Sequence, residues 1–241
     1  DKEELPADQG NLIWRAAARM KELYQISEGV SVKLTKRIPI AAGMAGGSAD
    51  AAATIHAMDA LFSLGLSLEE KQKIGVKLGA DVPYCIMRGT ALSEGIGEIL
   101  TELPAPPQCH LVIAKPQISV STKAVYGKLR VNELAPEEHP DIDGMMAAIK
   151  NGDLDGVIGR LGNVLETVTV PDHPEISEIK EIMVENGACG SLMSGSGPTV
   201  FGIYKGRELA EKACQALREA DGGRLTRQVY LTEFYNRKKA R

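Results

Sequence analysis

Residues 38–62 read IPIAAGMAGGSADAAATIHAMDALF and join a glycine-rich segment to an alanine-rich run. In the alanine-rich part, apolar side chains recur at the spacing of one helix face, namely at Ala51, Ile55, Met58 and Phe62. This periodicity predicts an amphipathic helix from Ser48 to about Leu64. Three glycines lie before it, Gly43, Gly46 and Gly47. The stretch therefore predicts a helix whose start is lined by bare backbone.

Glycines before a helix let backbone N–H groups come close to an anion. The unpaired amides of the first turn and the helix dipole favour a negative charge there by about 1 kcal/mol. The segment therefore predicts a phosphate site, with the Ser48 hydroxyl as a further ligand of phosphate or Mg²⁺. The alternative is a tight connection in which Ser48 caps the helix. No lysine follows Gly47 in the order of a Walker A loop, so the cations for a triphosphate have to come from elsewhere.

A second helix is predicted over residues 68–78, because Ser67 and Glu70 before it stand at the spacing of a capping box. The first helix would run about 25 Å outward and the second about 16 Å back. The pair would return the chain to the phosphate site and deliver Asp81 there. An aspartate in that position can accept the proton of a hydroxyl that attacks a phosphate. The alternative is that Asp81 is a turn residue at the end of a helix.

The remaining elements follow from shorter patterns. A helix is predicted over residues 11–24, a half-buried strand over 30–40, and a hairpin or meander of short strands over 84–103. The second half is predicted to begin with a buried strand and to alternate helices with strands. Its strands fall at 109–116, on both sides of a glycine turn within 190–204, and at 225–234; its helices fall within 122–131, 145–168, 175–186 and 208–220.

A proline-rich segment, LPAPPQ at residues 103–108, is the strongest linker signal in the chain. It predicts two domains, residues 1–108 and 109–241. A second glycine cluster, GACGSLMSGSGPTVFG, occupies residues 187–202. This cluster indicates backbone at a ligand, a tight contact between domains, or a glycine-rich turn between two buried strands, and the pattern alone leaves these interpretations open.

Composition limits the class of partner. The net charge of −4 and the aromatic content of 4% argue against a nucleic-acid surface, so a small molecule is the expected partner. No apolar run approaches the roughly 18 residues of a membrane span, and the acidic start has no apolar signal core. The four cysteines lack metal-ligand spacing and indicate a reducing compartment. We therefore expect a soluble cytoplasmic protein without a membrane partner, whose basic tail NRKKAR is solvated.

Several motifs together resemble the GHMP kinases (galacto-, homoserine, mevalonate and phosphomevalonate kinases). PIAAGMAGGSADAA resembles their glycine-rich ATP loop, and GACGSLMSGSGPTVF resembles their C-terminal glycine motif. GADVP at 79–83 and EGIGE at 94–98 are similar to the branch that phosphorylates 4-diphosphocytidyl-2-C-methyl-D-erythritol. The resemblance covers essentially the whole chain. It implies an α/β (α+β) fold of two domains, a ribosomal protein S5 domain 2-like N-terminal domain and a ferredoxin-like C-terminal domain.

The resemblance also implies the chemistry, which is transfer of the γ-phosphate of ATP to the 2-hydroxyl of the erythritol moiety, with Mg²⁺. Asp81 would be the catalytic base and Thr122 would lie at the methylerythritol end of the substrate. The ATP loop would comprise Pro39, Gly43, Ala45, Gly46, Gly47, Ser48, Ala49 and Asp50, with Asn11 and Lys36 also at the nucleotide. The C-terminal loop near the phosphates and substrate would comprise Ser194, Gly195, Ser196 and Gly197. The oligomeric state is expected to be a monomer or a homodimer.

Three departures from the family pattern stand out. Ala45 and Ala49 occupy positions where the ATP loop often has Gly and Ser, and both keep the small size that close approach needs. Relatives begin with roughly 50 further residues that carry strands, a lysine beside the catalytic aspartate and a cytosine-binding histidine. We expect that this N-terminal segment is cleaved, disordered or omitted from the sequence. The four histidines of this chain do not match that histidine. The alternatives are a nucleotide-binding module without turnover and a kinase for another small alcohol.

Overall fold

The computed structural model describes residues 5–235, which form two compact units. The N-terminal unit contains residues 5–40 and 45–103, and the C-terminal unit contains residues 41–44 and 104–235. The predicted solvated tail, residues 236–241, lies outside the described residues. None of the helices in the described part of the chain is long and apolar enough to cross a lipid bilayer. The domain boundary at residue 108 stays a prediction.

The N-terminal unit consists of four helices and a two-stranded antiparallel hairpin. They are α1 (Leu12–Tyr24), α2 (Gly46–Leu61), α3 (Leu68–Gly75), α4 (Val82–Met87), β1 (Thr90–Glu94) and β2 (Ile99–Leu103). Helix α1 packs on α2, and its Ala16 and Met20 are fully buried with Ile55 of α2. The helices predicted for these two segments are confirmed. Helix α2 begins two residues earlier and ends three residues earlier than its periodicity predicts.

The connection between α2 and α3 is held by polar contacts. The predicted capping box is present: the Ser67 hydroxyl accepts from the Glu70 N–H at 3.2 Å, and the Glu70 carboxylate accepts from the Ser67 N–H at 2.8 Å. The Asp59 carboxylate, near the end of α2, accepts from Lys71 Nζ at 2.6 Å and from the Leu66 N–H at 2.9 Å. These bonds close the turn that leads the chain from the glycine-rich segment toward Asp81.

Helix α4 replaces the first of the short strands predicted from Tyr84 onward, and that part of the prediction is wrong. Asp81 is the residue before this helix, and Pro83 lies in its first turn. Proline suits a first turn because its fixed φ is helical and its missing N–H would have no partner there. The two strands predicted after the RG dipeptide are confirmed as β1 and β2.

The half-buried strand predicted over residues 30–40 is also wrong. This segment forms no strand, and residues 31–35 are exposed. Among residues 5–235, no strand lies beside it to complete a ladder. Alternation of apolar and polar residues is therefore not enough here, because a strand is defined by the hydrogen bonds of a neighbour.

The C-terminal unit is built on a four-stranded antiparallel sheet. Its strands are β3 (His110–Pro116), β4 (Gly190–Met193), β5 (Val200–Tyr204) and β6 (Thr226–Glu233), in the spatial order β4-β5-β3-β6. Helices α5 (Thr122–Lys128), α6 (Ile142–Asn151), α7 (Leu154–Ile158), α8 (Glu166–Asp172) and α9 (Glu175–Glu185) separate β3 from β4, and α10 (Arg207–Glu219) separates β5 from β6. The resulting β-α-β-β-α-β order is ferredoxin-like, as predicted.

The core of this unit lies between the sheet and helices α9 and α10. Ile176, Ile179 and Met183 recur along α9 at the spacing of one helix face and are fully buried. Tyr204 is also fully buried, and its hydroxyl donates to the Met183 carbonyl at 3.2 Å. The sheet is therefore a rigid support for the glycine-rich turn between β4 and β5.

Replacing Asp59 with Asn should lower the free energy of unfolding by about 2 kcal/mol at neutral pH, because the largely buried Lys71 loses its charged partner. The side chains of Asp59 and Lys71 are 14% and 12% exposed. The hydrogen bond from Lys71 and the one from the Leu66 N–H hold the pKa of Asp59 below its ordinary value of 3.8. The carboxylate thus stabilises the fold above the pKa of the unfolded chain, and this stabilisation is lost as the pH falls through the lower folded pKa.

Denaturant titrations from pH 7 to pH 3 measure this effect. The difference between the natural protein and Asp59→Asn should shrink below about pH 4. Glu69→Gln is the matched control, because it removes an ion pair with Lys73 in which both side chains are largely exposed and should leave stability nearly unchanged. Equal losses in the two variants would contradict the structural role of Asp59.

Candidate active site

The start of helix α2 has no side-chain cap. The residue before the helix is Ala45, in the left-handed conformation with φ 49° and ψ 27°, and its carbonyl accepts from the Ala49 N–H at 2.9 Å. The N–H groups of Gly46, Gly47 and Ser48 precede that bond and cannot find partners inside the helix. Ser48 lies inside the first turn, so the alternative in which it caps the helix is wrong. The helix start is therefore a cluster of amide donors at the positive end of the dipole.

Neighbouring side chains leave little room for a Cβ atom at position 46. A Cβ atom there would lie 2.8 Å from Ile38 Cγ2 and 3.0 Å from Lys36 Nζ. Lys36 is buried, and its ammonium group pairs with the Asp50 carboxylate at 2.5 Å. The buried ammonium thus lies beside the first residue of α2. Pro39, in the same segment, is also buried.

Asn11 lies at the start of α1. Its side-chain oxygen accepts from the Ile13 N–H at 2.9 Å and caps the helix, while its Nδ2 donates to the Pro6 carbonyl at 2.9 Å. The amide is therefore engaged by its own helix and by the preceding segment. Leu12, the next residue, comes within 3.3 Å of the position of a Cβ on Gly47, so the first turns of α1 and α2 lie side by side.

Asp81 is exposed and its side chain does not cap α4. One turn further along the helix, the pKa of the Cys85 thiol is raised to about 11, chiefly by burial and further by the negative charges of Asp81 and Asp50. Both carboxylates therefore lie within electrostatic range of one thiol. The tip of the β1–β2 hairpin is also near, because a Cβ on Gly97 would lie 3.6 Å from the Ala80 carbonyl oxygen.

Gly43 packs against the second glycine cluster, within the C-terminal unit. The Ser194 hydroxyl donates to the Gly43 carbonyl at 2.8 Å. Gly43 has φ of 68°, and a Cβ there would collide with the Ser194 carbonyl and lie 2.9 Å from the Gly197 carbonyl oxygen. Two glycine-rich segments that are far apart in sequence therefore meet through bare backbone. This contact favours close backbone approach over a simple hairpin turn for residues 187–202.

The turn between β4 and β5 also meets Thr122. The Thr122 hydroxyl, at the start of α5, lies 2.8 Å from the hydroxyl of the buried Ser196. Gly195 and Gly197 both have positive φ, at 57° and 84°. The structure thus brings together Thr122 and all four predicted residues of the C-terminal loop.

Residues 11–89 match the GHMP kinases N terminal domain, and residues 145–222 match the GHMP kinases C terminal domain. A 4-diphosphocytidyl-2-C-methyl-D-erythritol kinase from Lachnoclostridium phytofermentans is 50% identical over 97% of this chain and 79% of its own length. A protein of the same name from Lachnospira eligens is 52% identical over 96% of this chain and 78% of its own length.

The chain belongs to the GHMP kinases, in their 4-diphosphocytidyl-2-C-methyl-D-erythritol kinase branch. The two-domain GHMP kinase fold predicted from the motifs is confirmed, and so is the prediction that the chain is an ATP-using small-molecule kinase. A crystal structure of 4-(cytidine 5'-diphospho)-2C-methyl-D-erythritol kinase matches with a TM-score of 0.79 at 32% identity, over 95% of this chain and 80% of that one. Homoserine kinase from Cytophaga hutchinsonii matches with a TM-score of 0.83 at 21% identity, over 98% of this chain and 79% of its own, which supports the fold alone.

Three residues that hold the C-terminal glycine loop of this GHMP kinase, or the end of β4 before it, carry no signal in the sequence. The Asn163 Nδ2 donates to two carbonyls of that segment, Glu166 accepts from the Met193 N–H at 2.7 Å, and the Thr169 hydroxyl donates to the Ser196 carbonyl at 3.2 Å. They fall in the stretch GNVLETVT, where no periodicity or spacing marks a site. Thr169 is buried, but this burial follows from the fold and cannot be read from the sequence.

Alkylation of Cys85 can report the charge of Asp81. At pH 8 its reaction with iodoacetamide should be slow, because a thiol with a pKa of about 11 is almost entirely protonated. Asp81→Asn removes one of the negative charges that raise this pKa, so the variant should react faster. The rate is followed by mass spectrometry of the Cys85 peptide.

Cys109 is the internal control for this measurement. Its thiol pKa is also raised to about 11, by burial and then by the charges of Glu233 and Cys189, without a contribution from Asp81. Its rate should be the same in both proteins. An unchanged rate at Cys85 in the variant would mean that the Asp81 carboxylate does not face that thiol.

Proposed function

We propose that this chain transfers the γ-phosphate of ATP to the 2-hydroxyl of 4-diphosphocytidyl-2-C-methyl-D-erythritol, in the biosynthesis of isoprenoid precursors. The observation that carries the phosphoryl-transfer chemistry is the uncapped start of α2, whose first three amides have no acceptor within the helix, in the same unit as the exposed carboxylate of Asp81. The choice of acceptor rests on the relatives that carry the name of this kinase at about half identity.

The start of α2 is proposed to bind the ATP phosphates through backbone donors. Gly46, Gly47 and Ser48 offer N–H groups that have no partner in the helix, at the positive end of the dipole. Ala45 and Ala49 are small, so they leave the backbone accessible. Gly43 is proposed to belong to the same loop, and the collision of a Cβ atom with the Ser194 carbonyl explains the absence of a side chain there.

Four further residues are proposed to support the nucleotide end of the site. The buried Lys36 brings a positive charge to the start of α2, and Asp50 fixes that ammonium group. Asn11 is proposed to act by fixing the start of α1 beside α2, since its amide is engaged in capping. Buried Pro39 stiffens the segment that leads into the loop.

Asp81 is proposed as the base that accepts the proton of the attacking hydroxyl. Its carboxylate is exposed and does not cap its helix, so it remains free to accept a hydrogen bond from a substrate. In the C-terminal unit, Thr122 is proposed to contact the methylerythritol end of the substrate. Ser194, Gly195, Ser196 and Gly197 are proposed to present backbone groups to it.

Mg²⁺ is proposed to accompany ATP. Within residues 5–235, no group of three or more His, Cys, Asp or Glu side chains is arranged to hold a metal. Mg²⁺ at such sites is bound largely by substrate phosphates and water. The Ser48 hydroxyl, in the first turn of α2, is proposed as a protein ligand. When bound, the ion neutralises part of the phosphate charge.

We further propose that the protein works in the cytoplasm as a monomer or a homodimer. All four cysteines are free thiols, and one of them, Cys189, is exposed. Free thiols are typical of reducing compartments.

Phosphorylation assays with four acceptors test the substrate. With ATP and Mg²⁺, kcat/KM for the cytidyl compound should exceed that for mevalonate, homoserine and galactose by at least about 100-fold. These three alcohols lack the cytidyl diphosphate, so the polar groups of a site built for it would be left without partners. A preference for another alcohol would contradict the proposed acceptor. ATP binding by calorimetry without turnover of any acceptor would favour the alternative of a nucleotide-binding module.

Asp81→Asn should lower kcat by about 10²- to 10⁴-fold, because the variant cannot accept the proton. Its KM for ATP should stay close to that of the natural protein. The matched control is Asp153→Asn. In the natural protein Asp153 caps α7 by accepting from the Gly156 N–H at 2.9 Å, and the asparagine oxygen can accept the same bond. The control should keep full activity. An Asp81→Asn variant with natural kcat would show that Asp81 is not the base.

A further inference from the structure

The glycine loop at residues 194–197 is held by its carbonyl groups. Asn163 Nδ2 donates to the Met193 carbonyl at 2.9 Å and to the Gly195 carbonyl at 2.8 Å. The Thr169 hydroxyl donates to the Ser196 carbonyl at 3.2 Å. All these donors come from helix α8 and the segment that leads into it, so a single part of the chain holds the loop in position.

The loop amides divide into two kinds. The Ser194 N–H donates to the Thr199 carbonyl at 2.8 Å, and the Gly197 N–H donates to the Ser194 carbonyl at 2.9 Å. The N–H groups of Gly195 and Ser196 meet no acceptor among the described residues. These two successive amides are therefore available to an external acceptor.

Peptide geometry links the held carbonyls to the free amides. In a trans peptide, the carbonyl of one residue and the N–H of the next point in opposite directions. The Gly195 carbonyl and the Ser196 N–H belong to one such peptide. A hydrogen bond from Asn163 to that carbonyl therefore fixes the direction in which the Ser196 N–H points.

Asn163 is itself fixed in one orientation. Its Oδ1 accepts from the Leu165 N–H at 3.0 Å, so its Nδ2 is left to face the two loop carbonyls. In the reverse orientation the Asn163 oxygen would face the Met193 and Gly195 carbonyl oxygens, and its amino group would face the Leu165 N–H, so none of the three hydrogen bonds could form. The three hydrogen bonds thus determine both the rotamer and the flip of this side chain.

We propose that Asn163 is a positioning residue, whose carboxamide holds the Gly195–Ser196 peptide so that the Ser196 N–H donates to an anionic oxygen of the bound phosphate. This inference rests on the proposed function, because it takes the glycine loop to act on a phosphorylated substrate. Asn163 does not touch the substrate in this role. It acts through the backbone of the loop, and it raises the rate of transfer more than the affinity for ATP.

Two substitutions of Asn163 separate the loss of its hydrogen-bond donor from the effect of an added negative charge. Asn163→Asp keeps the oxygen that accepts from Leu165, removes the donor and adds a negative charge; Asn163→Ala removes the donor without adding charge. Both should lower kcat by about 10- to 100-fold. This is less than the roughly 10²- to 10³-fold cost of removing one donor to an oxyanion, because the Ser196 N–H is displaced and not removed. The KM for ATP should change by less than about threefold.

Asn186→Asp is the matched control. Asn186 Nδ2 also donates to a backbone carbonyl, that of Ile182 at 2.8 Å, at the end of α9. This variant should keep the natural kcat. Thermal unfolding of all three variants identifies any loss of activity that follows from loss of fold.

A second measurement reports the position of the loop without any substrate. In ¹⁵N-serine-labelled protein, the Ser196 amide resonance should shift or broaden in both Asn163 variants and stay unchanged in Asn186→Asp. Natural kcat in Asn163→Ala, an equal loss in Asn186→Asp, or an unmoved Ser196 resonance would overturn the inference. If the natural protein phosphorylates no cytidyl substrate but the Ser196 resonance moves as expected, the proposed function fails and the positioning of the loop by Asn163 stands.

Discussion

The N–H groups of Gly46, Gly47 and Ser48 need acceptors that helix α2 cannot supply, because helical carbonyls become available only to the fourth residue onward. In most helices a side chain before the first turn accepts one of these bonds, but here that residue is Ala45. The chain therefore leaves a set of donors facing outward, and these donors attract an anion. The small residues of the loop leave these donors accessible to an anion, and the buried Lys36 adds a positive charge beside them.

The electrostatics around α2 show how a buried cation is tolerated at the positive end of a helix. Lys36 adds positive charge where the dipole is already positive, which would be unfavourable alone. Asp50, one turn into the helix, offsets this charge through its ion pair. When a polyanion is bound, the same Lys36 would gain a second favourable partner. The ion pair thus holds the Lys36 ammonium group in position before a ligand binds, so binding does not have to order this side chain.

Much of the fold could be predicted because long helices and paired strands repeat their signal many times. Helix α1, the α2–α3 connection with its capping box, and the strands of the C-terminal sheet were predicted in this way. Helix α4 was missed because six residues containing valine, tyrosine, cysteine and isoleucine also suit a strand, and only the packing of Val82 and Ile86 in the N-terminal core distinguishes the two. For residues 30–40 the error is the reverse, a strand predicted where none forms. The alternation there suits a strand, but no partner strand lies beside it in the described residues.

Residues of the candidate site could likewise be predicted where a local pattern marks them, but not where they depend on contacts between distant parts of the chain. Glycines before a helix are a local pattern, so the start of α2 could be found from sequence. The predicted helix pair pointed to Asp81, and the motif resemblance pointed to the C-terminal loop. The contact between Gly43 and Ser194 joins residues 151 positions apart, and no local pattern encodes it. Asn163 likewise acts on carbonyl groups whose position is known only once the sheet has formed. Backbone recognition by a side chain carries little sequence signature, because every residue presents the same carbonyl.

The left-handed conformation of Ala45 has a consequence for the thermodynamics of binding. An alanine in this region costs roughly 1–2 kcal/mol that a glycine would not. The methyl group also removes much of the freedom that a glycine would give the unliganded segment. A ligand that enters such a preorganised turn loses less of its affinity to the entropy of ordering the backbone. The alanine thus exchanges intrinsic strain for rigidity at the point where a flexible loop would weaken complex formation.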